Sequence, residues 1–591
     1  MNIRISKVYI ENYKSIFSQL IQLKDMSVFF GQNNTGKTNI LKAINLGLTF
    51  ESMEAEDVHD SRVDPYSKEK KVIIDILFEP YEKGKKIANF DDGWGLVIGD
   101  MISIDPDENE SFAFRTEISF DEDRNIYKNS KKIIQKWDDN GNKQFNNKFN
   151  SRIFDYIQCY YVDAHRDIAN DLKSRRSFWA KLISKINIDD GKKNEIQDKL
   201  QEINESIRSE SEIIQLIENE LNKTVSGEKY DINISPLTRD LETLYKGIDI
   251  YYSNDKFNPV PVSNLGSGIR SWAVFSTIKS QIELYSKSMN RNYSIFLVEE
   301  PESHVHPQSQ MHLMKVINEI EAQKIITTHS PYVVNQVDIN CLVRIDKDSN
   351  GTNISPLDAN IVETDINEIR RSCLDIKGEL MFSKVVVLVE GATELMAFPL
   401  YFQYYFGKRP FELGVTFISA DGGGKYKPFL QLLNAFNLKW ILLSDGEKVI
   451  LNGLRNILRG VMNNTEIEIT DEKRILYYDD GHNYEQYLYC NKYKDQIQKG
   501  INDLEDTLNF IETTFITNSQ WTQHKSRKIN KKITLEEELE LATFYYIKKN
   551  KINMTTVVAE EIINGCTSKN DLPPKIIELF EKIGKEIDFN D

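Results

Sequence analysis

MSVFFGQNNTGKTNILKAINLGL, residues 26–48, decides the architecture. An apolar run, MSVFF, stops at Gly31, GQNNTGKT follows as GxxxxGK[ST], and NILKAINLGL then repeats its apolar residues at helical spacing. A strand feeding a glycine loop that opens a helix is the context that makes this pattern a phosphate loop. Gly31 and Gly36 permit the tight turn, and the backbone N–H groups with the helix start face the phosphates. Lys37 adds a cation between the β and γ oxygens, and the Thr38 hydroxyl can hold Mg²⁺. Gly31, Asn34, Gly36, Lys37, Thr38 and Asn39 are therefore the candidate ATP contacts.

Outward from this loop the pattern is α/β. IRISKVYIENYKSI (3–16) alternates as a strand does, and KVIIDILFEP (71–80) and FAFRTEISF (112–120) predict a β-rich lobe before about residue 163. KNEIQDKLQEINESIRSESEIIQLIENELNK (193–223) is charged and helical, and predicts a hairpin that either packs on its own domain or serves as a dimerisation arm. SIFLVEEPESHVHP (294–307) is a buried strand ending in Glu299, assigned to the magnesium shell, and Glu300, assigned to the attacking water. His304 and His306 alternate on one side, but with no third ligand nearby they read as loop residues. KIITTHSPYVV (324–334) ends another strand at His329, which can sense a γ-phosphate or be a hydrogen-bonded core histidine. SNLGSGIRSW (263–272), with Ser263, Gly266, Ser267 and Gly268, opens a helix rich in N–H donors. In this order the elements resemble the ABC ATPase core of the structural-maintenance and RecF-like group. That resemblance implies a dimer or higher assembly in which Ser267 and Gly268 of one subunit complete the ATP site of another.

A second centre follows. KVVVLVEGATE (384–394) is an apolar strand with Glu390 at its end and Glu394 one helical turn on, and NLKWILLSDGEK (437–448) is a buried strand ending in Asp445 and Glu447. Four carboxylates at two strand ends repel one another unless cations bind between them, which is the two-metal arrangement that hydrolyses phosphodiesters. The pattern resembles the Toprim domain, with Glu447 where aspartate is usual; Mg²⁺ is the expected ion, with Mn²⁺ or Ca²⁺ as alternatives. SADGGGK (419–425) reads as a glycine turn, with Asp421 a turn residue rather than a ligand.

An ABC ATPase followed by Toprim resembles the OLD (overcoming lysogenization defect) nucleases, and the resemblance covers nearly the whole chain. It implies that YYDDGHNYEQYL (477–488) supplies Glu485, or less readily Asp480, to the second metal, and that Lys551, or Lys549, in IKKNKINMTTVVAEEII stands near the scissile phosphate. Glu379 is a candidate neighbour of the site or a cap. The family further implies DNA as substrate and anti-phage defence beside a helicase-like subunit or a retron reverse transcriptase with its small DNA.

The 591 residues, 40% of them apolar, suffice for several cores. The expected layout is an ATPase split into 1–175 and 236–375 by a helical insertion at 176–235, a Toprim core at 376–490 and a basic helical part at 491–591. Cys159, Cys341, Cys373, Cys490 and Cys566 form no CxxC pair, which argues against a zinc cluster or disulfide scaffold. A net charge of −16 means that DNA contact must come from local patches or metals. No signal-peptide pattern or membrane span is read, so a cytoplasmic protein is expected. The competing reading is an ATP-driven scaffold or sensor with a latent nuclease. A primase or topoisomerase ranks last, because none of the 27 tyrosines is marked out for strand passage.

Overall fold

The computed structural model describes residues 3–49, 53, 57–58, 71–164, 189–215, 251–261, 266–288 and 292–589, apart from interruptions of one to three residues. The chain divides into two compact units, one of 1–159, 295–299 and 323–591, the other of 160–294 and 300–322.

A six-stranded sheet, most of its residues in the first unit, runs Ile157–Val162, Tyr293–Glu299, Gln323–Thr328, Met26–Phe30, Leu342–Asp348, Gly351–Pro356. Met26–Phe30 lies between two parallel neighbours, which is why MSVFF is apolar without alternation. The alternating segments instead build an antiparallel sheet in the order Ile16–Gln22, Ile3–Tyr13, Lys71–Glu82, Glu110–Asp121, Ile126–Lys136, Gln144–Asn146.

The second α/β element of this unit is a four-stranded sheet ordered Val415–Ser419, Val385–Val389, Lys439–Ser444, Ile475–Tyr477, parallel throughout. The chain starts in the second position of that order and then steps outward both ways. The switch point falls between Val385–Val389 and Lys439–Ser444, where loops leave in opposite directions and a crevice opens beyond the strand ends. One side of the sheet continues into the C-terminal helices through a single apolar core that includes Val387, Phe398, Phe402, Leu443, Leu488, Met554 and Phe580. This packing carries the helices Tyr484–Cys490 and Lys551–Gly565 to the crevice.

Phe30, at the end of the phosphate-loop strand, packs edge-on against Phe382 and Phe436, at 6.0 and 5.3 Å between ring centroids. Arg344 donates to the carbonyls of Phe436 and Asn437 across the same boundary.

The second unit holds the helices Asp190–Glu210, Ser267–Ser288 and Pro307–Glu319, with Lys279 bonded to Glu319 at 2.6 Å. The helix Asp190–Glu210 is the described part of the expected hairpin; its return half, like Ser263, lies outside the described residues. Its Ile203 and Ile207, one turn apart, are 47% and 38% exposed. Among the described residues no helix is long and apolar enough to cross a membrane.

Leu388 is fully buried in the central strand of the four-stranded sheet. Leu388→Ala should cost about 2–5 kcal/mol, read as a lower urea midpoint for loss of structure in this unit.

Candidate functional site

The glycines of the phosphate loop are there for steric reasons. At Gly31 (φ +154°) a Cβ would stand 2.0 Å from the Ile345 carbonyl oxygen, and at Gly36 (φ +101°) 2.2 Å from Thr352 Oγ1. Asn34 adopts the left-handed conformation, φ +62°. Lys37 Nζ donates to the carbonyls of Gly31 at 3.0 Å and Gln32 at 2.7 Å and lies 3.3 Å from His329 Nδ1. Thr38 follows it in the first turn of Lys37–Leu48, and Asn39 bonds Ser15 Oγ at 2.8 Å. Glu299, buried at the end of Tyr293–Glu299, aligns with Thr327 of the adjacent parallel strand, two residues before His329. Glu300 (φ +41°) accepts from the Ser303 hydroxyl at 3.0 Å in the second unit, and Ser267 and Gly268 begin the helix Ser267–Ser288 there. His306 caps Pro307–Glu319, accepting from Gln308 N, as a loop residue does.

The acids gather at the switch point. Glu390 follows Val385–Val389, and its Oε2 accepts from the Asp445 N–H at 3.3 Å, joining the two strand ends. Glu394 sits in the first turn of Ala392–Phe406, only 5% exposed. Burial, then the charges of Glu485 and Glu390, pushes its pKa up to about 7. Asp445 is pushed up to about 8 by burial and then by Glu390, Glu394, Glu485 and Glu447. Glu447 is exposed at the N-cap of Lys448–Val461.

Glu485 Oε1 accepts from the Thr393 hydroxyl at 3.2 Å and pairs with Lys551 Nζ at 3.1 Å. Burial opposes the charge on Lys551, but Glu485, Glu394 and Asp445 outweigh it and hold the ammonium above its ordinary pKa. Lys549 points elsewhere, over the Tyr545 ring. Asp480 is exposed in a left-handed turn, and Glu379 lies exposed in the short turn Gly378–Phe382. Asp421, also left-handed, pairs with Lys377 at 3.3 Å.

Among the described residues no three Asp, Glu, His or Cys side chains are already closed around one point. The donor set nevertheless fits a hard divalent cation. It is all oxygen, and Asp445 Oδ1 is buried without a hydrogen-bond partner. Neighbouring carboxylates repel, and a shared cation is what would draw them together.

Sequence reasoning missed Thr393, Gln32 and Tyr478. Thr393 stands inside EGATE, where a hydroxyl between two acids was the available signal. Gln32 Nε2 donates to the Phe382 carbonyl at 3.1 Å, a contact that no local pattern announces.

A nucleotide loop between parallel strands of one sheet and a carboxylate crevice on another define an ATPase joined to a Toprim-type centre. The chain belongs to the AAA ATPase domain family, which matches residues 3–334, and residues 381–446 match the overcoming lysogenization defect protein-like TOPRIM domain. Together these domains imply nucleotide and divalent-metal use. The chain is homologous to the Old nuclease of Escherichia phage P2, at 23% identity over 75% of this chain and 77% of that protein. It is likewise homologous to endonuclease GajA of Bacillus cereus strain VD045, at 23% identity over 77% of each. Among solved structures, the C-terminal region of the Xanthomonas campestris pv. campestris OLD protein is 20% identical, covering 36% of this chain and 96% of that one, with a TM-score of 0.27.

The raised pKa values of Glu394 and Asp445 fix the sign of a pH effect. The metal-free folded state holds these protons longer than the unfolded chain, so their contribution to stability is full below about pH 4 and is lost as pH rises through about 7 to 8. In thermal melts without metal, Asp445→Asn should flatten the decline between pH 5 and 9. Mn²⁺ should stabilise the wild type more at pH 8 than at pH 5, since it competes with protons for the same oxygens.

Proposed function

We propose that the chain is an ATP-binding, metal-dependent DNA endonuclease. The observation that carries this reading is the bond from Asp445 N to Glu390 Oε2, which ties two strand ends together beside Glu394 and Glu485. Glu390, Glu394, Asp445 and Glu447 would hold Mg²⁺, or Mn²⁺, with Glu485 serving the second ion. Bound there, the ions would supply an activated water and neutralise the leaving oxygen of a phosphodiester. Lys551, held beside Glu485, presents an ammonium to a phosphate oxygen, and Thr393 fixes the Glu485 carboxylate that orients it.

In the ATPase, Lys37 and Thr38 serve the phosphates and Mg²⁺, Glu299 the magnesium shell, Glu300 the water and His329 the γ-phosphate. Ser267 and Gly268 complete the site of a second copy, which makes the active form a dimer or larger. The family resemblance and the naming of the GajA relative support a role in anti-phage defence, with a helicase-like subunit or a retron reverse transcriptase as partner.

The two centres are coupled through Gln32. A γ-phosphate competes for the same Lys37 ammonium that holds the Gln32 carbonyl, and the Gln32 side chain is bonded to the Phe382 carbonyl, three residues before the strand that Glu390 follows.

Purified protein should nick or cut plasmid DNA with Mg²⁺ or Mn²⁺, and Glu390→Ala should lower the rate at least a hundredfold. Wild-type protein inert with every metal, DNA and nucleotide, with or without the products of neighbouring genes, would leave the scaffold reading instead. Cleavage rates with ATP, with a non-hydrolysable analogue and without nucleotide should differ in the wild type. In Gln32→Ala they should converge while ATP binding persists; an unchanged nucleotide response in that variant would remove this route.

A further inference from the structure

Tyr478 follows the strand Ile475–Tyr477 and is 1% exposed. Its backbone is locked beside Asp445. Tyr478 N donates to Ser444 O at 3.2 Å, Gly446 N donates to His482 O at 2.8 Å, and a Cβ at Gly446 would meet the Tyr478 carbonyl oxygen at 2.0 Å. Its ring packs with those of Tyr487 and Tyr484, at 4.9 and 6.1 Å between centroids. The hydroxyls of these neighbours are satisfied: Tyr484 bonds Tyr401 at 3.1 Å, and Tyr487 accepts from Lys575 N at 2.9 Å.

The Tyr478 hydroxyl, by contrast, is buried with no hydrogen-bond partner, and so is Asp445 Oδ1. A phenylalanine would fill the same space without the cost of a stranded polar group, so the hydroxyl calls for a partner. Burial, then the charges of Glu394, Asp445 and Glu485, holds the phenol well above its ordinary pKa, so it is a donor rather than an acceptor.

We infer that Tyr478 is a positioning residue of the carboxylate centre, its phenol donating to the Asp445 carboxylate when that group turns toward a divalent ion. Such a bond fixes one carboxylate oxygen and leaves the other directed at the cation, the outer-shell support that metal ligands commonly receive. The inference rests on the proposed reading of these acids as a metal centre.

The test is Mn²⁺ binding to the full-length protein, followed by the electron paramagnetic resonance of free Mn²⁺, beside the melting temperature without metal. Tyr478→Phe should weaken Mn²⁺ binding roughly tenfold or more, shift the Mn²⁺ requirement of cleavage upward with recovery at excess Mn²⁺, and leave the metal-free melting temperature unchanged or higher. Tyr487→Phe, which removes a satisfied hydroxyl from the same cluster, should leave Mn²⁺ affinity as in the wild type. A wild-type binding curve for Tyr478→Phe, or a fall in its metal-free melting temperature, would overturn the inference. Absence of Mn²⁺ binding that depends on Glu390 in the wild type would instead sink the metal-centre reading itself.

Discussion

Mutual repulsion among carboxylates in a low-dielectric crevice is the constraint around which the C-terminal region is organised. Glu390, Glu394, Asp445 and Glu485 come from two strand ends and two helix starts, and burial beside the other acids makes Glu394 and Asp445 costly to ionise. The fold's answers include an N–H from Asp445 to Glu390, a hydroxyl from Thr393 to Glu485, and the Lys551 ammonium. Helices packed around the Toprim core carry Lys551 into place. The long C-terminal region thus belongs to the electrostatics of the centre as much as to its hydrophobic core.

The ATPase sheet turns its strand ends to the opposite charge. In the proposed reading its strand ends present backbone donors and Lys37 to an anion, whereas the second sheet ends in acids that would take cations. In each case the crevice lies beyond the carboxyl ends of parallel strands, where backbone direction rather than side-chain abundance decides what converges. This explains how a chain of net charge −16 can address phosphates at both ends of its architecture.

What was legible in the sequence was chemistry that folds locally. GQNNTGKT, VEGATE and LLSDGEK each place their functional residues within one strand–loop–helix step, so spacing alone brings Glu390 and Glu394, or Lys37 and Thr38, together. Lys551 and Glu485 were reachable only through family resemblance, because tertiary packing rather than spacing sets their 3.1 Å pair. Tyr478 was invisible for a related reason. In RILYYDD it reads as one more aromatic at a strand end, and only the satisfied neighbours Tyr484 and Tyr487 make its hydroxyl stand out. The helical insertion is partly readable as an exposed amphipathic helix, but charge patterning cannot say what its Ile203 and Ile207 face.

The aromatic contact of Phe30 with Phe382 and Phe436 bears on how such chains are assembled and divided. Phe30 and Phe436 are fully buried, so each module lends the other part of its interior. Cutting the gene between the two catalytic halves would leave an oily scar on both products, inviting aggregation and removing the surface against which the Toprim sheet is braced. Fusion here is therefore more than a tether: the two sheets meet through a shared aromatic contact, so separating them exposes apolar surface that the intact chain keeps covered.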